Sequence, residues 1–313
     1  MKNAEGEDEA AAEEEEEEEK RLSVVLAVGM GFFIVLTAVV ALLLAAPFEA
    51  AGVKAFENSE SVWTPLYFLA LVVGFTVVIL VVLKLGDRGE WLLYFLMLGA
   101  VAVTLYYVFA VLFPAPLGSL PLVSLPLVST LAVCLLLYKF PEWYVLDATG
   151  LLIGGGAAAM FGISLGVASV VLLLVILAVY DAISVYKTKH MIVLAESIVE
   201  MRVPILFVLP RRRGFSLVRG GRGAKSHKSS RMDEAFLMGL GDAIIPTMLV
   251  VSANLMPAFA RYWGLINAPA LGALLGTLAG YGALVRIAGR GTPHAGLPFL
   301  NLGAILGFVV GLA

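Results

Sequence analysis

Two carboxyl groups lie inside long apolar segments, where ionisable side chains are rare. Asp181 belongs to the segment LLLVILAVYDAISVY, and Asp242 belongs to GLGDAIIPTMLVV. An acid inside a bilayer is costly unless it is paired, protonated or in contact with water, so it indicates a functional site. Two such acids side by side share one proton at neutral pH, and acid and base then coexist. Such a pair can activate water against a peptide carbonyl and protonate the carbonyl oxygen.

Two other roles are compatible with buried aspartates in apolar helices. One is structural, a hydrogen bond between packed helices. The other is a proton- or cation-coupled secondary transporter, in which paired intramembrane carboxylates also occur. An internal repeat would favour transport, and the early and late spans show no convincing repeat. Neither HExxH nor GxSG occurs, so metalloprotease and serine protease chemistry are disfavoured, and we expect no metal and no other cofactor.

The composition is typical of a membrane protein. Of the 313 residues, 60% are hydrophobic and 14% charged, and the mean hydropathy is +0.96. Eleven of the 24 acids fall within the first 19 positions, so residues 1–21 are predicted to be a disordered cytoplasmic tail. Eleven of the 21 basic residues fall within residues 187–234, which are predicted to be a basic cytoplasmic connection. The single cysteine, Cys134, excludes an internal disulfide framework.

The apolar windows predict an all-α polytopic membrane protein with nine transmembrane helices, because about 20 apolar helical residues cross a hydrocarbon core. Residues 22–186 hold helices one to six, and residues 235–313 hold helices seven to nine. The predicted helices are 22–46, 62–84, 91–113, 116–138, two helices within 146–186 that divide at 161–166, 235–258, 264–287 and 296–313. Small residues spaced by four in helices five, eight and nine predict close packing between helices.

The distribution of Lys and Arg predicts the orientation in the cell membrane. With nine spans, 19 of the 21 bases share the side of the amino terminus, and only Lys54 and Arg261 lie opposite. The positive-inside rule therefore places the amino terminus in the cytoplasm and the carboxy terminus outside. Asp181 then lies about 7 Å and Asp242 about 10 Å from the cytoplasmic ends of their helices. The basic connection is expected to attract anionic lipid and not nucleic acid, since its aromatic residues are sparse.

The motifs around the two aspartates resemble those of a known family. Tyr180 precedes Asp181 in the sixth span, and Asp242 closes a GxGD in the seventh, whose first residues are Gly239, Leu240 and Gly241. This arrangement is similar to the presenilin and signal peptide peptidase family of intramembrane aspartyl proteases, and especially to archaeal presenilin homologues. The resemblance implies that Asp181 and Asp242 are catalytic and hydrolyse peptide bonds within transmembrane segments. With a presenilin-like orientation, it also implies substrates whose amino termini face outward.

The family also carries a Pro-Ala-Leu element near the start of the ninth span, and this sequence offers two candidates. Pro269-Ala270-Leu271 matches letter for letter but begins helix eight, on the outer side. Gly296, Leu297 and Pro298 keep the Leu-Pro and begin helix nine on the cytoplasmic side. We choose the second as the substrate-binding element. A proline there lacks an amide and disfavours helix before it, which leaves backbone groups available beside the acids.

Two further segments are candidates for holding substrate. A transmembrane substrate must unwind before cleavage, and its backbone must then find new hydrogen-bond partners, which strand addition supplies. Phe236, Leu237 and Met238, together with residues 202–209 (RVPILFVL), are predicted to clamp an extended substrate beside Asp242; anchoring of helix seven at the interface is an equal alternative. Asp147, at the start of helix five, is expected to be an ordinary interfacial acid.

Overall fold

The computed structural model describes residues 2–56, 63–84, 86–113, 120–188, 205–211, 215, 235–262, 264–288 and 295–313. Within these residues the α-helices are α1 Lys2–Ala50, α2 Trp63–Leu83, α3 Asp87–Leu112, α4 Leu120–Lys139, α5 Trp143–Ser164, α6 Val167–Ile183, α7 Leu240–Asn254, α8 Ala268–Ala288 and α9 Leu297–Gly311. The strands are β1 Leu206–Pro210, β2 Ala235–Gly239, β3 Arg261–Tyr262 and β4 Ile266–Asn267. One π-helical turn, Ser184–Thr188, follows α6.

The prediction of an all-α polytopic membrane fold is confirmed. In the described part of the chain, five helices are long and apolar enough to cross a membrane, and four shorter apolar helices accompany them. α5 and α6 divide at Leu165 and Gly166, inside the predicted turn. Large apolar side chains such as Leu131, Val179 and Leu302 are exposed on the outside of the bundle, as a lipid-facing surface requires.

The prediction of a disordered acidic tail is wrong for the residues that the structure describes. α1 begins at Lys2 and continues without a break into the first apolar span. Alanine, glutamate and lysine all have high intrinsic helix propensity. The apolar helix that follows also provides a nucleus, so extension toward the amino terminus avoids the cost of starting a separate helix.

The predicted start of helix seven is also wrong. α7 begins at Leu240 and not at residue 235, because Ala235–Gly239 forms strand β2. A short apolar run next to glycine does not distinguish strand from helix by periodicity alone. Asp242 consequently lies in the first turn of α7, directly after a strand, and not about 10 Å inside a longer helix.

α5 lies at the centre of the bundle and packs against α1, α3, α7 and β1. Its glycines permit this close packing. A Cβ added to Gly155 would lie 2.3 Å from Val40 of α1, and one added to Gly162 would lie 2.6 Å from Val251 of α7. Both positions therefore require a residue without a side chain, and Gly162 belongs to the predicted small-residue series spaced by four, whereas Gly155 does not.

α8 and α9 contact each other backbone to backbone. A Cβ added to Gly276 would lie 2.1 Å from the carbonyl oxygen of Gly303, and one added to Gly307 would lie 2.1 Å from that of Gly272. The contact continues at both ends through Gly280 and Gly311, which meet Phe299 and Ala268. The predicted glycine faces of these two helices thus form one continuous interface that fixes α9 to α8.

β1 and β2 form an antiparallel sheet that joins the helix bundle to the start of α7. Leu206 lies opposite Gly239, and Phe207 lies opposite Met238. Phe207 is fully buried and stacks on Phe33 of α1, with 4.8 Å between ring centroids. A Cβ added to Gly150 of α5 would lie 3.3 Å from the same ring. β1 is therefore held between α1 and α5.

Asp147 is buried, and the expectation of an ordinary interfacial acid is wrong. Its side chain is only 3% exposed, and its Oδ1 accepts a hydrogen bond from the backbone N–H of Val208 in β1 at 2.8 Å. The difference arises because β1 packs over the first turns of α5. The end of the helix that the sequence places at the membrane surface is therefore inside the protein.

Candidate active site

Asp181 lies near the carboxy-terminal end of α6, three residues before the π-helical turn. Its side chain is 6% exposed, so the carboxyl group is removed from bulk solvent and from lipid. Single π-helical turns are frequent at functional sites. α6 thus places one buried carboxyl group in the interior of the bundle.

Asp242 lies at the junction of β2 and α7. The chain passes directly from Gly239, the last residue of β2, into α7, and Asp242 is the third residue of that helix. A Cβ added to Gly239 would lie 3.3 Å from Asp242 Oδ2, which is tighter than most Cβ contacts. The first glycine of the GxGD motif therefore gives the carboxyl group its space.

The first residues of α9 lie between the two aspartates. The backbone N–H of Leu297 donates a hydrogen bond to Asp181 Oδ2 at 3.1 Å. A Cβ added to Gly296 would lie 3.3 to 3.4 Å from the carboxyl atoms of Asp242. Two consecutive residues thus contact both acids. The structure therefore brings together the two aspartates and the chosen Gly296–Pro298 segment.

The amino terminus of α9 explains why an amide is available at this point. The first four amides of a helix have no partner within it. Pro298 occupies the first turn, where its missing N–H removes nothing from the helix. The amide of Leu297 therefore donates to Asp181 without breaking a hydrogen bond of α9.

The Tyr180 side chain contacts another helix. Its hydroxyl group lies 3.4 Å from Thr76 Oγ1 of α2, at the limit of hydrogen bonding. Leu237 and Met238 lie in β2, five and four residues before Asp242; Met238 is buried and Leu237 is half-buried. Residues 202–204 of the second predicted segment lie outside the described residues, and Leu206–Pro210 of the chain that follows them form β1.

The literal Pro269-Ala270-Leu271 match lies far from the aspartates along α7. It begins α8, where Asn267 Oδ1 accepts a hydrogen bond from the backbone N–H of Ala270 at 3.0 Å. Asn267 in turn donates from Nδ2 to the carbonyl of Ala253, near the end of α7 opposite Asp242. Asn267 therefore caps α8 through the amide of Ala270 and connects the helix to α7.

Several polar contacts in the described part of the bundle were not identified from the sequence, and two of them involve elements of the site. One is the bond between Asp147 and β1. The other is made by Asn301, which is fully buried in α9 and donates from Nδ2 to the carbonyl of Leu174 in α6 at 2.9 Å. A lone amide in an otherwise apolar helix was the available signal for Asn301, since such a group needs a partner in the membrane.

The comparisons with known proteins agree with this arrangement. The family model for "Signal-peptide peptidase, presenilin aspartyl protease" matches residues 30–313. Two crystal forms of a presenilin family intramembrane aspartate protease are each 38% identical to the chain, with TM-scores of 0.65 and 0.64. Each match covers 91% of this chain, with 98% of the first solved chain and 96% of the second. No match was found among the curated proteins.

The chain belongs to the family of signal peptide peptidases and presenilin aspartyl proteases. It is therefore an aspartic endopeptidase of the intramembrane-cleaving kind, a multi-pass membrane hydrolase that acts on transmembrane helical substrates. The transporter interpretation of the buried carboxyl groups gains no support from these matches.

Proposed function

We propose that Asp181 and Asp242 form the catalytic dyad of this protease. The observation that carries the proposal is the convergence of both carboxyl groups on Gly296 and Leu297. In a buried pair the two groups share one proton. The ionised carboxylate removes a proton from a water molecule as it attacks the scissile carbonyl, and the protonated carboxyl donates to the carbonyl oxygen.

Gly296 and Leu297 support the dyad in different ways. The amide of Leu297 orients the Asp181 carboxyl group through a hydrogen bond to one of its oxygens. Gly296 has no side chain, so its backbone can lie close to the Asp242 carboxyl group. Leu297 is the first residue of α9, so its amide has no partner within the helix, and Pro298 has no amide at the next position.

The dyad is tested with isosteric substitutions in the full-length protein. Wild type, Asp181→Asn, Asp242→Asn and Glu49→Gln, an exposed carboxyl at the end of α1, are purified in detergent and offered a transmembrane peptide. Loss of acid–base catalysis should lower the cleavage rate by at least ~100-fold in the first two variants and leave the Glu49 variant unchanged. Products are identified by mass spectrometry.

Two results would contradict this assignment. Cleavage by either aspartate variant at the wild-type rate would remove that residue from the chemistry. Ion flux into liposomes that requires both acids, without any peptide cleavage by the wild type, would favour a transporter.

A second part of the proposal concerns substrate binding at β2. An unwound substrate segment pairs with the edge of β2 and is thereby held beside Asp242. β2 supports this role because it is continuous with the first turn of α7, and because the described residues place only β1 beside it. Backbone pairing provides affinity that does not depend on the substrate sequence.

The orientation belongs to the same proposal. With 19 of 21 bases on one side, the amino terminus and the basic connection face the cytoplasm, and the substrates have amino termini that face outward. The cationic connection binds anionic lipid heads at that surface.

A further inference from the structure

The pairing of β1 and β2 determines which backbone groups each strand offers to a third strand. The N–H of Leu240 donates to the carbonyl of Ile205 at 2.8 Å, which makes this opposed pair a hydrogen-bonded one. Such pairs alternate along an antiparallel ladder. Phe207 and Leu209 therefore bond to β2, whereas the backbone of Val208 points to the other edge of β1.

Three residues of β1 point to its other edge, Leu206, Val208 and Pro210, and at the last two no amide is open to a further strand. The N–H of Val208 donates to Asp147 Oδ1 at 2.8 Å. Pro210, the next residue that points to this edge, has no N–H to donate. On β2 the corresponding outward residues are Ala235, Leu237 and Gly239, and no further strand pairs with them in the described part of the chain.

Burial of the Asp147 carboxyl group is energetically unfavourable. It is 3% exposed, and its Oδ2 has no hydrogen-bond partner among the described residues. Its neighbours Val145 and Leu146 belong to an apolar cluster that also contains Phe207 and Met238. An apolar side chain would fill this place without the desolvation cost of a carboxyl group. The specific contribution of Asp147 is therefore its bond to the strand amide.

We propose that Asp147 is a positioning residue that fixes β1 and closes its outer edge, so that an unwound substrate pairs only with β2. This inference rests on the proposed function. A substrate on β2 lies next to the strand that leads into Asp242. A substrate on the other edge of β1 would lie three strand spacings from that position, each about 4.8 Å, which is too far for attack.

The role predicts a particular pattern of kinetic change. Without the bond to Asp147, β1 can shift and its edge can compete for substrate. Productive binding then weakens and the cleavage positions spread, whereas the dyad itself keeps its geometry. A residue that only stabilised the fold would lower the amount of active enzyme and leave both KM and the cleavage positions unchanged.

The variants isolate the hydrogen bond from the charge and from general stability. Asp147→Ala removes the acceptor, whereas Asp147→Asn keeps an oxygen that can accept from Val208. Val208→Pro removes the donor without touching the ladder to β2, since this N–H points away from β2. Ser164→Ala is the matched control, because it removes a buried hydroxyl from the far end of α5 that bonds to Ala55.

The measurements are made on the full-length protein in detergent with a transmembrane peptide. They are kcat, KM, the cleavage positions by mass spectrometry, and the affinity for a hydroxyl-bearing dipeptide isostere that reaches the aspartates but not the strands.

Asp147→Ala and Val208→Pro should each raise KM about tenfold and spread the cleavage positions, with isostere affinity unchanged. The double variant should add little to either single one. Asp147→Asn and Ser164→Ala should stay within about threefold of wild type, the former because its amide oxygen still accepts the Val208 bond.

Three results would overturn the inference. Wild-type KM and cleavage positions in Asp147→Ala would do so. A loss in Asp147→Asn as large as that in Asp147→Ala would show that the charge and not the hydrogen bond matters. Loss of isostere binding together with cleavage would show that Asp147 supports the whole site. Failure of the dyad assignment appears separately, as cleavage by Asp181→Asn or Asp242→Asn.

Discussion

Two glycines determine how closely the chain approaches Asp242. Gly239 precedes the aspartate in sequence, and Gly296 faces it from α9; a Cβ at either position would lie 3.3 Å from Asp242 Oδ2. Gly241, the second glycine of the GxGD motif, is exposed, and a Cβ there would meet only Ile245 at 4.0 Å. The first glycine of the motif is therefore in tight contact with the carboxyl group, whereas the second is adjacent to open space.

Gly296→Ala should slow cleavage without unfolding the protein. The backbone at this position has φ of −78°, which any residue adopts, so only the added methyl group matters. It would displace the Asp242 carboxyl by a few tenths of an ångström, and misplacement of about 1 Å costs ~100-fold in rate. We expect kcat to fall roughly tenfold, measured with a transmembrane peptide.

Gly282→Ala in α8 is the matched control for this change, because nothing lies within 4 Å of the added Cβ. It should cleave at the wild-type rate. An unchanged kcat in Gly296→Ala would show that Asp242 tolerates the contact and that Gly296 does not limit the geometry of the dyad.

At the level of single residues, the sequence identifies ionisable groups whose placement in an apolar segment is energetically costly. Asp181 and Asp242 are visible because an ionisable group in a long apolar tract needs a reason to be there. Asp147 has the same chemistry but lies near a helix end, where an acid is ordinarily solvated. Its burial depends on β1, which is 59 or more residues away in sequence. No local sequence pattern predicts a contact between residues so far apart in the chain.

At the level of elements, the continuity of β2 and α7 would connect the proposed substrate binding with the proposed chemistry of Asp242. The strand ends at Gly239 and the helix begins at Leu240, whose N–H bonds to Ile205 and so belongs to the ladder as well. Asp242 is two residues further on. A segment paired with β2 is therefore positioned by the same backbone that positions the carboxyl group.

Leu237→Pro should abolish cleavage if substrate adds to the edge of β2. The N–H of Leu237 points away from β1, so proline removes a donor from the open edge and leaves the ladder intact. Met238→Pro instead removes a ladder bond to Phe207 and should also weaken the sheet. Leu237→Ala, which keeps the N–H, should retain cleavage. The readouts are the cleavage rate and isostere affinity, which stays unchanged in the Leu237 variants.

Undiminished proteolysis by Leu237→Pro would contradict strand addition at this edge. It would leave the alternative in which these residues anchor α7 at the interface. In that case Met238→Pro, which disturbs the attachment of α7, should lose more activity than Leu237→Pro.

The sequence predicts that the segments before α7 and within residues 202–209 act in extended form, but not that they pair with each other. Both are short apolar runs, and hydrophobic periodicity cannot distinguish a strand from a helix at this length. The pairing also spans a long polar connection, so it is a non-local contact. For the same reason the sequence places the start of helix seven five residues too early.

At the scale of the whole molecule, hydropathy alone predicts the helical plan. Spans are strongly marked because every backbone group inside a bilayer must be paired within its own helix. The acidic amino terminus is the exception, since low hydrophobicity and high charge indicate disorder only where no adjacent helix can extend into the segment.

The orientation is tested with reporter fusions at the two termini. A reporter that is active only in the cytoplasm should be active at the amino terminus and inactive at the carboxy terminus, because the basic side is retained inside. Replacing the basic residues within 187–234 by neutral ones should not reverse this result, since the remaining Lys and Arg are still divided 8 against 2 between the two sides. The opposite pattern would reverse the predicted polarity of the substrates.

The contact between α8 and α9 also affects how the enzyme could be assembled from parts. Because Gly276 and Gly307 meet opposing backbone carbonyls, the register of the two helices is determined along their whole length by that interface. The hydrogen bond from Leu297 to Asp181 thus depends on a contact inside the membrane and not on the length of chain between Ala288 and Ala295. That connection can be extended, or opened to give two co-expressed fragments, with the catalytic geometry preserved.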